Sequence, residues 1–200
     1  KTMNLNNFDL SSLRYITNTG AALPSEHIAR LREQLPHVRI YSMFGLTECK
    51  RISYLPPEEI DRRPDSVGKA MPNCEVFVVD EQGNEVGPNE PGQLLVRGSN
   101  VMEGYWRAPE LTAETFRQAL GFNDKLLFTG DYFRKDEEGF LYFIGRKDDM
   151  IKSRGERISA KEVERIISQV SGVNEVGVIG VEDELLGQAI KAYVVTNPGV

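Results

Sequence analysis

The strongest constraint on the fold is a strand–helix–strand pattern between residues 13 and 41. Leu13-Arg14-Tyr15-Ile16-Thr17-Asn18-Thr19 is rich in β-formers, and Gly20 ends the run. A helix opens after Leu23-Pro24-Ser25 and carries Ile28, Leu31 and Leu35 on one face; Val38-Arg39-Ile40-Tyr41 reads as a second strand. A right-handed crossover makes the two strands parallel and puts the loops that follow them on one sheet edge, where open α/β sheets bind ligands. Gly20-Ala21-Ala22 and the stretch from Ser42 to Glu48 are thus expected to face one crevice.

From about residue 64 to 145 the texture changes to short β runs broken by turn chemistry. Glu75–Val79 is followed by Asp80-Glu81-Gln82-Gly83-Asn84, and Gln93–Arg97 is bounded by Gly92 and Gly98. Tyr132–Arg134 and Phe140–Ile144 predict a hairpin, and Thr112 is placed to cap a short helix over 112–119. After Gly145 the charged tetrad Arg146-Lys147-Asp148-Asp149 suits an exposed connection between domains. Ser159-Ala160-Lys161-Glu162 then has capping-box spacing, with Val163, Ile166, Ile167 and Val170 at helical intervals up to Gly172. Two strands, Glu175–Val181 and Ala189–Thr196, complete a βαββ-like start. The fold class is mixed α/β: a βαβ portion over 1–60, a β-rich subdomain over 64–145, and from 147 to 200 the start of a small α+β domain. The opening at Lys1 and the closing Thr196-Asn197-Pro198-Gly199-Val200 suggest a portion of a longer protein.

Charge and composition narrow the function. The formal net charge of -6 and the absence of any Lys/Arg run with interleaved aromatics leave no electrostatic footprint for nucleic acid. No apolar stretch approaches the roughly 18–20 residues that cross a bilayer, and no secretory signal pattern opens the chain, so a soluble, cytoplasmic protein is expected. Cys49 and Cys74 are too few for a disulfide framework and lack metal-ligand spacing, which suits a reducing compartment. With His27 and His37 the only histidines and no Gly-x-Ser-x-Gly, a Ser–His hydrolase or a His-rich zinc site has little to work with.

The chemistry concentrates in Tyr41-Ser42-Met43-Phe44-Gly45-Leu46-Thr47-Glu48. Phe44 offers a face to a purine, Gly45 a close backbone approach and Thr47 a hydrogen bond to a phosphate oxygen. Glu48 offers a hard oxygen ligand for Mg2+, which favours carboxylates together with substrate phosphates. On these residues alone a nucleotide site and a plain strand ending in a capped turn both remain open.

The octet resembles the aromatic-Gly-x-Thr-Glu signature of the adenylate-forming (AMP-binding) superfamily, which includes acyl-CoA synthetases and nonribosomal adenylation domains. Further segments match in the same order: Thr19-Gly20-Ala21-Ala22-Leu23-Pro24, Gly92-Gln93-Leu94-Leu95-Val96-Arg97-Gly98, Gly104-Tyr105-Trp106, Thr129-Gly130-Asp131, and Gly145 to Lys152 with Gly155. The resemblance implies that residues 1–146 are the C-terminal part of the nucleotide-holding domain and 147–200 the start of a mobile C-terminal domain. It implies that Gly20, Ala21 and Ala22 run along the adenine, that Phe44 stacks on it beside Gly45, and that Thr47 touches the α-phosphate. Glu48 would hold Mg2+, Asp131 would accept the ribose hydroxyls, and Arg146 would donate to the ribose or phosphate side; Thr47, Glu48 and Arg146 form the implied catalytic set. Asp148 matches the hinge, and Lys152 to Gly155 match the segment lining the thiol tunnel. Thr17, Asn18, Tyr41, Ser42, Met43 and Leu46 are available to line an acyl pocket for an apolar or small acid.

The implied reaction is ATP-dependent activation of a carboxylic acid as acyl-AMP, followed by thioester formation with coenzyme A. One alternative acceptor is the phosphopantetheine of an acyl carrier protein; a non-catalytic nucleotide-binding module is a reading of another class. Two family elements have no counterpart: a Ser/Thr/Gly-rich phosphate loop upstream, and a C-terminal lysine that Lys147, Lys152 and Lys161 do not match. The 200-residue piece alone is therefore expected to be inactive in adenylation.

Overall fold

The computed structural model describes residues 5–20, 23–118 and 124–197. Strand β1 (Tyr15–Asn18), helix α1 (Ser25–Gln34) and strand β2 (Arg39–Phe44) form the expected unit. β1 and β2 are parallel, with Tyr15 opposite Arg39 and Asn18 opposite Ser42. Ile28 of α1 and Ile40 of β2 are buried against Leu55, Ile60 and Phe140, so the helix stripe does cover the sheet. β2 runs three residues further than its sequence pattern suggests: Ser42, Met43 and Phe44 are strand residues rather than loop. The extension has a partner. β3 (Ser53–Tyr54) pairs antiparallel with Met43 and Phe44, and β4 (Lys69–Ala70) pairs with β3, giving the order β1-β2-β3-β4.

The second sheet is antiparallel. It contains β5 (Cys74–Val79), β6 (Gly92–Gly98), β7 (Phe116–Gln118), β8 (Lys125–Lys135) and β9 (Leu141–Arg146), ordered β5-β6-β8-β7 with β9 paired to β8. Its inner face, with Val78, Leu94, Val96, Leu127 and Phe133, packs on the partly buried Phe44 of the first sheet and on Ile52, just before β3. The two sheets therefore share one core at the point where β2 ends.

The short helix differs from expectation. α2 spans Pro109–Thr115 and starts with proline at its first turn; Ala108, with no side-chain bond, sits at the N-cap. Proline fixes φ and needs no donor there, so it outcompetes Thr112 as a start signal. Thr112 lies inside the helix, donating to the Ala108 carbonyl at 2.8 Å and accepting from the Tyr105 amide at 2.9 Å. Residues 116–118 of the expected helix form β7, where Phe116 is buried, and residue 119 lies outside the described residues.

A three-residue 3-10 turn, Lys147–Asp149, leads from β9 into the third sheet. That sheet holds β10 (Met150–Ser153), β11 (Glu156–Ser159), β12 (Val173–Asp183) and β13 (Gly187–Thr196) in the order β11-β10-β13-β12, with α3 (Ala160–Ser168) packed on it. The hairpin β10–β11 turns on Arg154 and Gly155, both at positive φ (54° and 84°). Arg-Gly is not among the usual two-residue hairpin signals, which explains why the sequence pattern does not reveal it. Ser159 caps α3 by accepting from the Glu162 amide at 3.3 Å. Val163 and Ile167 pack on Ile151 and Val178, whereas Ile166 and Val170 are 58% and 59% exposed, so only half of the expected stripe is covered.

Candidate functional site

The end of β2 carries the aromatic residue to the seam between the first two sheets. The Phe44 ring meets Phe133 edge-on at 4.8 Å between centroids and lies 6.4 Å from Phe143. These rings, from β8 and β9, back the Phe44 side chain and fix its orientation. Past Phe44 the chain folds on itself: the Leu46 amide donates to the Cys49 carbonyl at 3.1 Å, and the Ile52 amide donates to the Phe44 carbonyl at 2.8 Å. A Cβ at position 45 would come within 2.6 Å of the Arg51 amide nitrogen. The close approach that demands glycine here is therefore made by the loop's own backbone.

This tight turn leaves Thr47 exposed and Glu48 half-buried. Glu48 is clamped twice. Its carbonyl accepts from the Met102 amide at 2.9 Å, with Cys49 bridged to Val101, and its Oε1 accepts a hydrogen bond from the Tyr105 hydroxyl. Burial first, and then the Glu48 hydrogen bond and charge, push the Tyr105 phenol above its ordinary value.

Asp131 lies in the middle of β8, directly opposite Arg146 on β9. Its side chain is 2% exposed. Oδ1 accepts from Arg146 Nη1 at 3.0 Å, and the same nitrogen donates to the Thr129 carbonyl at 3.2 Å. Oδ2 is buried with no hydrogen-bond partner, the one side-chain atom so placed among the described residues. An orphaned buried acceptor is costly and unusual in a folded protein. Burial raises the Asp131 carboxyl above the usual range; the Arg146 charge and hydrogen bond oppose this, and the charge of Glu48 adds to it. Gly130, at φ 72°, makes the arrangement possible, since a Cβ there would sit 3.3 Å from Arg146 Nη2.

Phe44 packs on Phe133, two residues beyond Asp131 on β8, Asp131 faces Arg146, and Glu48 is held by Tyr105, which packs on the same core as Phe44; Gly20, at φ 84°, lies two residues past β1, the parallel neighbour of β2. Ala21 and Ala22 lie outside the described residues. Asn18 and Ser42 are direct register partners, with Asn18 partly buried and Ser42 buried. Met43 pairs across with Tyr54, and Leu46 packs into the shared core. Two cavities, of about 390 and 410 Å3, flank the Lys147–Asp149 turn. The first is lined by Asp80, Gln93, Tyr132 and Lys147, the second by Asp148, Met150, Lys161 and Gln188; neither touches Phe44, Glu48 or Asp131.

Asp148 is exposed in that turn, and Lys152 and Gly155 are exposed on the β10–β11 hairpin. The β11 side of the hairpin is tied to the second sheet through Arg157, which donates to the Tyr132 hydroxyl, stacks over its ring at 5.0 Å and pairs with Glu81. Ser159 adds a bond from its Oγ to the Ile144 carbonyl at 2.6 Å. The contacts of Arg157 and Tyr105 have no signal in the sequence that gives either residue a role. Gly104-Tyr105-Trp106 was visible as a motif, but nothing in its spacing names Glu48 as its partner; Arg157 shows only as an ordinary charge in a short strand.

Comparison with known proteins gives the family. A family model described as AMP-binding enzyme matches residues 1–106, and one described as AMP-binding enzyme C-terminal domain matches residues 162–200. A long-chain fatty acid–CoA ligase of Salmonella typhimurium is 37% identical over 188 residues, covering 94% of this chain and 32% of the relative. An indoleacetate–CoA ligase of Aromatoleum aromaticum is 37% identical over 193 residues, covering 96% and 36%. Among solved structures, the O-succinylbenzoate coenzyme A synthetase of Bacillus subtilis in complex with ATP and magnesium ion superposes with a TM-score of 0.81 at 33% identity, covering 94% of this chain and 38% of that one. The amide bond synthetase of Marinactinospora thermotolerans gives 0.85 at 32% identity, covering 98% and 39%. The chain spans about a third of the length of the curated relatives it matches. With a family model over more than half of its residues and relatives at 37% identity across almost all of it, the chain belongs to the AMP-binding enzyme family.

Proposed function

We propose that the protein containing this chain activates a carboxylic acid with MgATP as an acyl-AMP and transfers the acyl group to the thiol of coenzyme A. The observation that carries the reading is Asp131: a buried carboxylate with one oxygen on Arg146 and the other without a partner is what a pair of ribose hydroxyls would complete. Phe44 gives the adenine a ring braced from behind by Phe133. Thr47, exposed at the turn, donates to an α-phosphate oxygen, and Arg146 offers its outer guanidinium nitrogen to the ribose or phosphate.

The residues suit a magnesium ion. Among the described residues no cluster of three or more ligating side chains exists, and Mg2+ bound with a nucleotide needs only one or two carboxylates beside phosphate oxygens and water. Glu48 is that carboxylate. The cation supplies charge neutralisation at the phosphates; the protein's share is orientation of the acid against the α-phosphorus, where the new P–O bond forms as pyrophosphate leaves.

Residues 1–146 belong on this reading to the nucleotide-holding domain and residues 147–200 to a mobile unit that turns at Asp148, bringing Lys152 and Gly155 to the thiol. Asn18, Ser42, Met43 and Leu46 contribute to the acyl side, and the ligase relatives favour an apolar acid. Free, buried Cys49 and Cys74 suit a reducing cytoplasm, and no helix among the described residues is long and apolar enough to cross a membrane. Likeness to the amide bond synthetase favours a second reading in which the acyl-AMP is the same and an amine replaces the thiol. Acid-dependent ATP–pyrophosphate exchange by the full-length protein, over fatty, aryl and amino acids, tests the adenylation. Product analysis with coenzyme A, a phosphopantetheinylated carrier protein and simple amines identifies the acceptor. No exchange with any acid would overturn the proposal and leave a nucleotide-binding module.

A further inference from the structure

Glu48 is held by a neutral partner, unlike the ion-paired glutamates of the first two sheets and their loops. Glu59, Glu75, Glu81 and Glu85 each pair with an arginine or lysine, whereas among the described residues no cation pairs with Glu48 and only Tyr105 hydrogen-bonds its side chain. That tyrosine is itself anchored. Its amide donates to Thr112 Oγ1 at 2.9 Å, and Thr112 donates onward to the Ala108 carbonyl at 2.8 Å. Its ring packs into the shared core 6.2 Å from Phe116. Helix α2 thus braces a single hydroxyl against a single carboxylate oxygen.

We propose that Tyr105 is a positioning residue that fixes Glu48 by one carboxylate oxygen so that the other is presented to the divalent cation of the MgATP substrate. The proposal rests on the reading of Glu48 as the cation-holding residue. A glutamate side chain has three free torsions that must be ordered before it ligates, and a hydrogen bond formed beforehand removes that cost. A neutral donor suits the task. Lysine or arginine at the same place would order Glu48 equally well but would compete with the cation for its charge, whereas a phenol leaves the charge available.

The test measures ATP affinity of the full-length protein by calorimetry without acid substrate, once in EDTA and once in saturating Mg2+; the ratio of the two is the cation-linked gain. Tyr105→Phe is expected to cut that gain about tenfold, at the low end of what loss of a ligand-orienting partner does, with the EDTA affinity within about twofold of wild type. An unchanged or larger gain in Tyr105→Phe overturns the proposal, as does an equal loss of affinity in EDTA and Mg2+, which would mark the hydroxyl as structural only. Glu48→Gln separates the two levels. If it abolishes the gain while Tyr105→Phe keeps it, Glu48 stands as the cation residue and the tyrosine's role falls; if Glu48→Gln keeps the gain, both fall. Should Tyr105→Phe fail to fold, Thr112→Val, which removes the oxygen that holds the Tyr105 amide, is expected to lose about threefold of the gain, and a full gain there overturns the proposal.

Discussion

Replacing Asp131 by asparagine should weaken nucleotide binding strongly while leaving the unliganded fold as stable as before, or more so. The side chain is 2% exposed and its partner Arg146 is 47% exposed. A half-exposed arginine is screened by water, so the pair contributes at most about 1 kcal/mol to folding. Burial of the carboxylate opposes even that, and it is the largest influence on the Asp131 carboxyl. Wild type already carries an orphan acceptor at Oδ2, and an orphan amide nitrogen in its place adds no second defect. The unbound melting temperature should therefore stay level or rise. Nucleotide binding loses the charge that makes its hydrogen bonds strong, about 2–3 kcal/mol, or roughly 30- to 160-fold in Kd. The pH dependence has a definite sign. The folded state holds the Asp131 proton more tightly than the unfolded chain, so wild type gains stability relative to the variant as pH falls toward the unfolded carboxyl value of about 3.9, and loses it as pH rises through the higher folded value. Calorimetry with ATP and thermal unfolding across pH provide the assay on the full-length protein. A variant that melts well below wild type while binding ATP with unchanged affinity would refute the reasoning.

Gly130→Ala places a Cβ 3.3 Å from Arg146 Nη2 at φ 72°, so a loss of about 1 kcal/mol in stability and a weaker grip on ATP should appear together in melting and binding measurements. Ser159→Ala removes both the α3 cap and the bond to the Ile144 carbonyl, and should cost about 1–2 kcal/mol, read as faster amide exchange in the first turn of α3. Arg157→Met cuts the ties from β11 to Tyr132 and Glu81 and should raise amide exchange in the β10–β11 hairpin, with the β5–β6 sheet unchanged.

The parts legible in the sequence are those with a strong local period or a stop signal. The βαβ unit follows from the spacing of Ile28, Leu31 and Leu35 between two β-rich runs, and the α3 start follows from Ser159 and Glu162. Local chemistry misleads where two signals compete, as at Thr112, where Pro109 sets the helix start. It is silent where pairing is non-local: β2 extends through Phe44 only because Ser53 and Tyr54 return to pair with it. The candidate site divides in the same way. Glu48 and Asp131 are recognisable by their motifs, but that Asp131 has one oxygen without a partner depends on β8–β9 register, and Tyr105 reaches Glu48 across 57 residues.

Phe44, Glu48 and Asp131 must all serve one nucleotide, and a crystal structure of the full-length protein with AMP tests that most directly. The adenine should lie against the Phe44 ring, both ribose hydroxyls should be within hydrogen-bond reach of the Asp131 carboxylate with Oδ2 engaged, and the phosphate should point toward Thr47 and Glu48. An ordered AMP held elsewhere, with Asp131 Oδ2 still lacking a partner, would contradict it.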